Sequence, residues 1–153
     1  IRFWLYWPGL FIYFARRPRA RVLIHDGANH VLLVKGLWKR WFNDDGWSLP
    51  GGGIARSERP VEGAVRELEE ELGVKVSSKR LVLLGESTIR EYGLHYRAYF
   101  FELVLPQNIH LRLQPKEIAE AKWLEARKLT RASLNPEVRY ALQVWRAHGA
   151  LLQ

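Results

Sequence analysis

The sequence predicts an α/β fold in which a mixed β-sheet packs between helices. Three observations predict it: short runs rich in Val, Ile and Leu precede one amphipathic helical stretch, further strand-like runs follow it, and a second helical stretch closes the chain. The 153 residues suit one domain with a real core, and neither an internal repeat nor a linker divides it. An apolar content of 48% with 26% charged residues excludes the disordered and fibrous classes.

Residues 1–19 read as an apolar and basic leading segment, and residues 20–153 as the single domain. Residues 3–14 are strongly apolar, yet Pro8-Gly9 interrupts them, and they fall far short of the ~20 residues a membrane-spanning helix needs. A secretory leader places its positive charge before the apolar run, whereas Arg16, Arg17, Arg19 and Arg21 follow this one. The segment reads as a packing or partner element, a homodimer contact among the options, in preference to a membrane-surface anchor.

Residues 21–24 and 31–34 read as strands joined through Asp26-Gly27-Ala28-Asn29, a hairpin signal. Residues 36–46 read as a loop carrying Trp38, Trp41 and Phe42. Trp47-Ser48-Leu49-Pro50 then leads into Gly51-Gly52-Gly53, where the backbone has shapes open that side chains forbid. Residues 60–72 read as a helix: Pro60 suits the first turn, Glu62 lies near the positive end of the dipole, and Gly73 is a natural stop. Val61, Ala64, Val65, Leu68 and Leu72 recur at helical spacing and form its buried stripe. Residues 81–88 and 95–105 look like strands, with a further short one at 121–124. Asn135-Pro136 opens the last helix, whose apolar face is Val138, Ala141, Leu142 and Trp145.

With 24 Lys+Arg against 16 Asp+Glu, the formal charge is +8. Such a chain attracts polyanions, or simply stays soluble. The signs are segregated. Lys35, Lys39 and Arg40 add a second basic cluster, while glutamates gather between residues 58 and 71. There is no cysteine, which excludes disulfides, thiolate zinc sites and cysteine nucleophiles, and suits a reducing cytoplasm.

Glu67, Glu70 and Glu71 stand at i, i+3 and i+4, so a helix puts them on one face, away from the apolar stripe, with Glu69 toward solvent. Like charges at this spacing weaken a helix by roughly 0.2–0.5 kcal/mol. Carboxylates about 5 Å apart in a partly buried cleft repel by roughly 3 kcal/mol per pair at an effective dielectric near 20. A hard cation such as Mg²⁺ or Mn²⁺ turns that repulsion into attraction. A solvated acidic face is the plain alternative. Against it stands a longer pattern: Gly52, Glu58, Arg66, Glu67, Leu68, Glu70, Glu71, Gly73 and Val74 fit G-x5-E-x7-R-E-U-x-E-E-x-G-U, with U aliphatic. The positions that demand one residue type, each of frequency near ~6–7%, make a chance match rarer than roughly one in ten million.

On these residues the sequence resembles the Nudix hydrolases (MutT-like). Trp47-Ser48-Leu49-Pro50-Gly51-Gly52-Gly53 is similar to that family's approach to its motif, and Glu117-Ile118-Ala119-Glu120-Ala121-Lys122-Trp123 to its late segment. The resemblance implies an α/β/α sandwich with a mixed sheet flanked by helices, dependence on Mg²⁺ (or Mn²⁺), and cleavage of a nucleoside diphosphate linked to another moiety. It further implies that Glu67, Glu70 and Glu71 are metal ligands, joined by the Gly51 carbonyl, and that Glu67 or Glu71 aligns or deprotonates a water. By the same resemblance Arg66 orients a motif glutamate, Glu58 is an outer metal contact, and a late-loop glutamate, Glu117 ahead of Glu120, serves as general base or further ligand. Arg59, where the family often has a capping Ser or Thr, implies a loosened helix start.

No residue that binds the base or sugar is fixed, since loops such as 36–46 vary between subfamilies. Tyr92 lies near a tyrosine of some diadenosine polyphosphate hydrolases, while Pro106 is too late for the proline of ADP-ribose enzymes. Three classes of function fit these residues. The first is a small-nucleotide pyrophosphohydrolase, the second an enzyme acting on the 5′ end of RNA, and the third a non-catalytic nucleotide sensor, which would ordinarily have lost motif glutamates that this chain keeps.

Overall fold

The structure, a computed structural model, describes residues 16–42, 44, 46–130 and 134–151. The apolar stretch at 3–14 and the side chains of Trp41 and Phe42 lie outside the described residues. The elements run β1 (Arg19–His25), β2 (His30–Gly36), β3 (Gly51–Gly53), α1 (Pro60–Leu72), β4 (Val82–Glu91), β5 (Leu94–Val104), β6 (Ile118–Glu125) and α2 (Pro136–Leu151). The expected loop at 36–46 contains a 3-10 helix, Leu37–Phe42.

The sheet is mixed, with strand order β4-β5-β1-β2-β6. The pair β1–β5 is parallel, from Arg19↔Ala98 to His25↔Val104, and the other pairs are antiparallel. β1 divides one of its edges: Ile24 and His25 pair with β2, while Arg19, Ala20 and Arg21 pair with β3. This division delivers the glycine run to the sheet beside α1.

Side chains alternate along the strands, and the two faces carry two cores. Ala20, Val22, Ile24, Leu32, Val34 and Leu103 pack with Ala64, Leu68 and Leu72 of α1. Leu23, Val31, Leu33, Ala98 and Phe100 pack with Val138, Ala141 and Leu142 of α2. The layering is therefore α/β/α, as the sequence implies. Leu68 is fully buried, and truncating such a leucine to alanine costs roughly 2–5 kcal/mol.

Both ends of α1 are closed. Arg59 stands extended as its N-cap (φ −71°, ψ 149°). The start is not loosened: Glu62 reaches back to accept from the Arg59 N–H at 2.9 Å and from its Nε at 2.9 Å. Half of a capping box thus replaces the missing hydroxyl. At the other end Gly73 is left-handed (φ 67°), its N–H donates to the Glu69 carbonyl, and Val74 N–H donates back to Leu68. At the start of α2, Asn135 Oδ1 accepts from Val138 N–H at 2.9 Å. Strands β4 and β5 run further toward each other than expected and meet at Tyr92-Gly93, both with positive φ (52° and 74°). That is the backbone of a two-residue hairpin turn. No helix among the described residues is long and apolar enough to cross a membrane.

Candidate active site

The glycine run and α1 form one wall of a cleft of about 680 Å³, lined also by Arg17, Arg19, Trp38, Tyr92 and Glu117. Gly51 has φ +129°, and a Cβ there would lie 2.1 Å from the Ala20 carbonyl oxygen. A Cβ on Gly52 would lie 2.6 Å from the Glu67 carboxylate. The bare backbone is what lets α1 approach β3 with its glutamates between them.

That approach splits the acidic face that helical spacing alone makes uniform. Glu67 and Glu71 are buried, 8% and 7% exposed, whereas Glu70 is exposed along with Glu69. Gly51 N–H donates to Glu71 Oε2 at 2.8 Å. Burial pushes the Glu71 carboxyl up to about 8, against the pull of the Gly51 N–H and Arg21 and with the push of Glu67 and Glu117. Burial also raises Glu67, opposed chiefly by Arg66.

Arg66 gathers the remaining acids. It donates to Glu58 (2.8 and 3.1 Å), Glu67 (2.8 Å), Glu70 (3.1 Å) and the Gly53 carbonyl (2.9 Å). Its guanidinium is held above its ordinary range, first by the hydrogen bonds it donates to Glu58. Glu58, which also accepts from Ala55 N–H at 2.9 Å, is held below the usual carboxylate range, first by Arg66. Both of its oxygens are thus engaged. Glu117 lines the cleft, while Glu120 lines a separate hollow with Lys35 and Arg40.

Among the described residues no three acidic or imidazole groups converge as a ready-made cation cage. Arg66 instead sits between Glu67 and Glu70. The donors are nonetheless the hard oxygens a Mg²⁺ or Mn²⁺ ion takes, and Glu71 is a buried carboxylate that, among the described residues, accepts a hydrogen bond from a backbone N–H alone. Glu67, Glu70, Glu71 and the Gly51 carbonyl are the groups that would have to hold one, with Arg66 displaced from between Glu67 and Glu70. That carbonyl already accepts from Arg21 Nη1, which leaves its second lone pair.

The structure also brings together a buried set that sequence reasoning missed. Arg21 Nε meets Glu137 Oε1 at 2.9 Å, and Tyr96 hydroxyl is 2.7 Å from Glu137 Oε1 and 3.0 Å from Glu91 Oε2. Lys39 pairs with Asp44 at 3.2 Å, and the Tyr92 hydroxyl donates to Asp44. The one available signal was Arg21, a charge inside an apolar strand run. Its partner, 116 residues away, has none, because a glutamate at N2 of a helix reads as an ordinary dipole complement.

A family model described as NUDIX domain matches residues 15–144. An RNA pyrophosphohydrolase of Teredinibacter turnerae is 28% identical over 118 residues, 76% of this chain and 60% of that one. Nudix hydrolase 6 of Arabidopsis thaliana is 28% identical over 102 residues, 67% of this chain and 36% of that one. This chain therefore spans less than two thirds of the length of either. Among solved structures, a MutT NUDIX hydrolase from Burkholderia pseudomallei superposes with a TM-score of 0.69 at 27% identity, covering 84% of this chain and 96% of its own.

Proposed function

This chain belongs to the Nudix hydrolase family, and on that premise we propose that it hydrolyses a diphosphate linkage in a small nucleotide with Mg²⁺ or Mn²⁺ at the α1 glutamates. The observation that carries the reading is the burial of Glu67 and Glu71 together beside the bare backbone of β3, open to a cleft that also holds Arg17 and Arg19. Two carboxylates are not buried side by side without a counter-charge, and the two arginines near them are shared: Arg66 with Glu58 and Glu70, and Arg21 with Glu137.

A divalent ion held by these glutamates would supply positive charge against the diphosphate and a lowered pKa for a water. The residues do the rest. Arg66 ties Glu67 and Glu70 to Glu58 and β3, so both carboxylates start from one orientation. Glu71 is set by the Gly51 N–H. Glu117, at the cleft wall, is the candidate to take the proton from the attacking water. Arg17, Arg19 and Lys116 give the cleft its attraction for phosphates.

A panel of nucleoside diphosphate compounds with Mg²⁺ or Mn²⁺, with products identified by mass, tests this. Release of a mononucleotide from at least one compound is expected, and no turnover across the panel contradicts it. Arg66→Ala unties Glu58, Glu67 and Glu70 at once and is expected to lower kcat/KM by about 10–100-fold, as loss of a group that orients metal ligands does; steady-state kinetics at saturating metal read it.

A second reading, action on the 5′ end of RNA, is favoured by Arg17, Arg19 and Lys116 beside Trp38 and Tyr92 in the cleft, since basic and stacking groups together suit single strands. The similarity to an RNA pyrophosphohydrolase points the same way. Activity on triphosphorylated RNA that falls steeply with salt, while activity on mononucleotides does not, selects it.

A further inference from the structure

Outside the sequence motif, one buried ion pair reaches the chemistry through a single residue. Arg21 projects from β1 and Glu137 from the first turn of α2, and their side chains are 6% and 1% exposed. Arg21 Nε donates to Glu137 Oε1 at 2.9 Å, while its Nη1 donates to the Gly51 carbonyl. On the other side of the same residue, Gly51 N–H donates to Glu71 Oε2 at 2.8 Å. Gly51 has no side chain to restrict its torsions and sits at φ +129°, so these two hydrogen bonds hold the peptide planes on either side of its Cα. The pair is itself braced: the Tyr96 hydroxyl lies 2.7 Å from Glu137 Oε1, and the Arg19 guanidinium lies 4.3 Å above the Tyr96 ring.

Stability alone is a weak reason to bury such a pair, because well-packed apolar residues of similar volume are often as stable or more so. We propose that Arg21 and Glu137 are positioning residues for the hydrolysis: together they clamp Gly51, and through its N–H they hold the Glu71 carboxylate in its place in the cleft. The last helix thereby supports the glutamates of α1 from across the sheet. This inference rests on the function proposed above. The competing account is a staple that only ties α2 to β1.

The double variant Arg21→Met/Glu137→Met separates the two, since it removes both charges and leaves neither buried alone. Three readouts are taken: thermal melting, kcat and KM on a substrate found in the nucleotide panel, and hydrogen exchange at the Gly51 amide by NMR. The clamp predicts a melting temperature near that of the wild type, a kcat about 10–100-fold lower with KM changed by less than about threefold, and Gly51 exchange at least tenfold faster while Val22 and Leu23 keep their protection. Wild-type kcat and unchanged Gly51 exchange in the folded double variant overturn it and leave the staple. Should the double variant not fold, Arg21→Lys takes its place: it keeps a charge opposite Glu137, but an ammonium lacks the rigid fork that meets two acceptors. The same loss of kcat and of Gly51 protection is expected there, and wild-type values overturn the clamp. If the wild type turns over no nucleotide, the proposed function fails, and Gly51 exchange still decides whether the clamp exists.

Discussion

Glutamine in place of Glu71 is expected to lower turnover at least about a hundredfold while making the metal-free protein more stable. The two effects have one cause. Glu71 is buried, its carboxyl is pushed up to about 8 by that burial, and its partner is a backbone N–H that glutamine's oxygen also accepts. A folded-state value above the unfolded one, near 4.5, means that the neutral form fits the fold better. The associated stability is complete below pH 4.5 or so and is lost as pH rises through about 8. Metal-free wild type should therefore lose on the order of 3 kcal/mol between pH 5 and pH 8 that Glu71→Gln does not lose. Melting curves in chelator at the two pH values check this: a gap between variant and wild type that widens with pH is expected, and a constant gap rejects it. Glu70→Gln, at an exposed position facing Arg66, should cut turnover about as much without the gain in stability.

Gly51→Ala is expected to have the largest effect on folding. The φ of +129° lies where L side chains are strained, and the new Cβ would meet the Ala20 carbonyl oxygen at 2.1 Å. The obstacle is backbone, so no rotamer change relieves it. Either β3 leaves β1, taking with it the pairs Ala20↔Gly52 and Arg21↔Gly51, or the chain strains by several kcal/mol. Chemical denaturation should show a loss of at least about 3 kcal/mol. Gly53→Ala, with nothing within 4 Å of the new Cβ, is the control and should change little.

What the sequence made legible was what local rules govern. The bounds of α1 follow from Pro60 and Gly73, and the structure reproduces them residue for residue. The β1–β2 hairpin follows from Asp26-Gly27-Ala28-Asn29, whose aspartate accepts from Ala28 and His30 N–H. The turn at Tyr92-Gly93 was not legible, because tyrosine at positive φ is unusual and only tertiary contact sustains it, here through Asp44 and Trp38. The spacing of Glu67, Glu70 and Glu71 announced a shared face. That the face divides into two buried acids and one exposed acid depends on how closely β3 approaches, which helical periodicity does not encode. The expected weak start of α1 failed because Glu62 supplies what Arg59 lacks. The pairing of Arg21 with Glu137 was invisible, since it is fixed by how α2 packs on the face of the sheet behind β1.

The proposed hydrolysis requires a divalent cation held by Glu67 and Glu71. Mn²⁺ titration followed by electron paramagnetic resonance, with a non-hydrolysable nucleoside diphosphate present, measures it directly in the wild type and in Glu67→Gln/Glu71→Gln. Saturable binding by the wild type, weakened about 10–100-fold or more in the double variant, is the result expected. No bound Mn²⁺ in the wild type, or equal binding by both proteins, contradicts it.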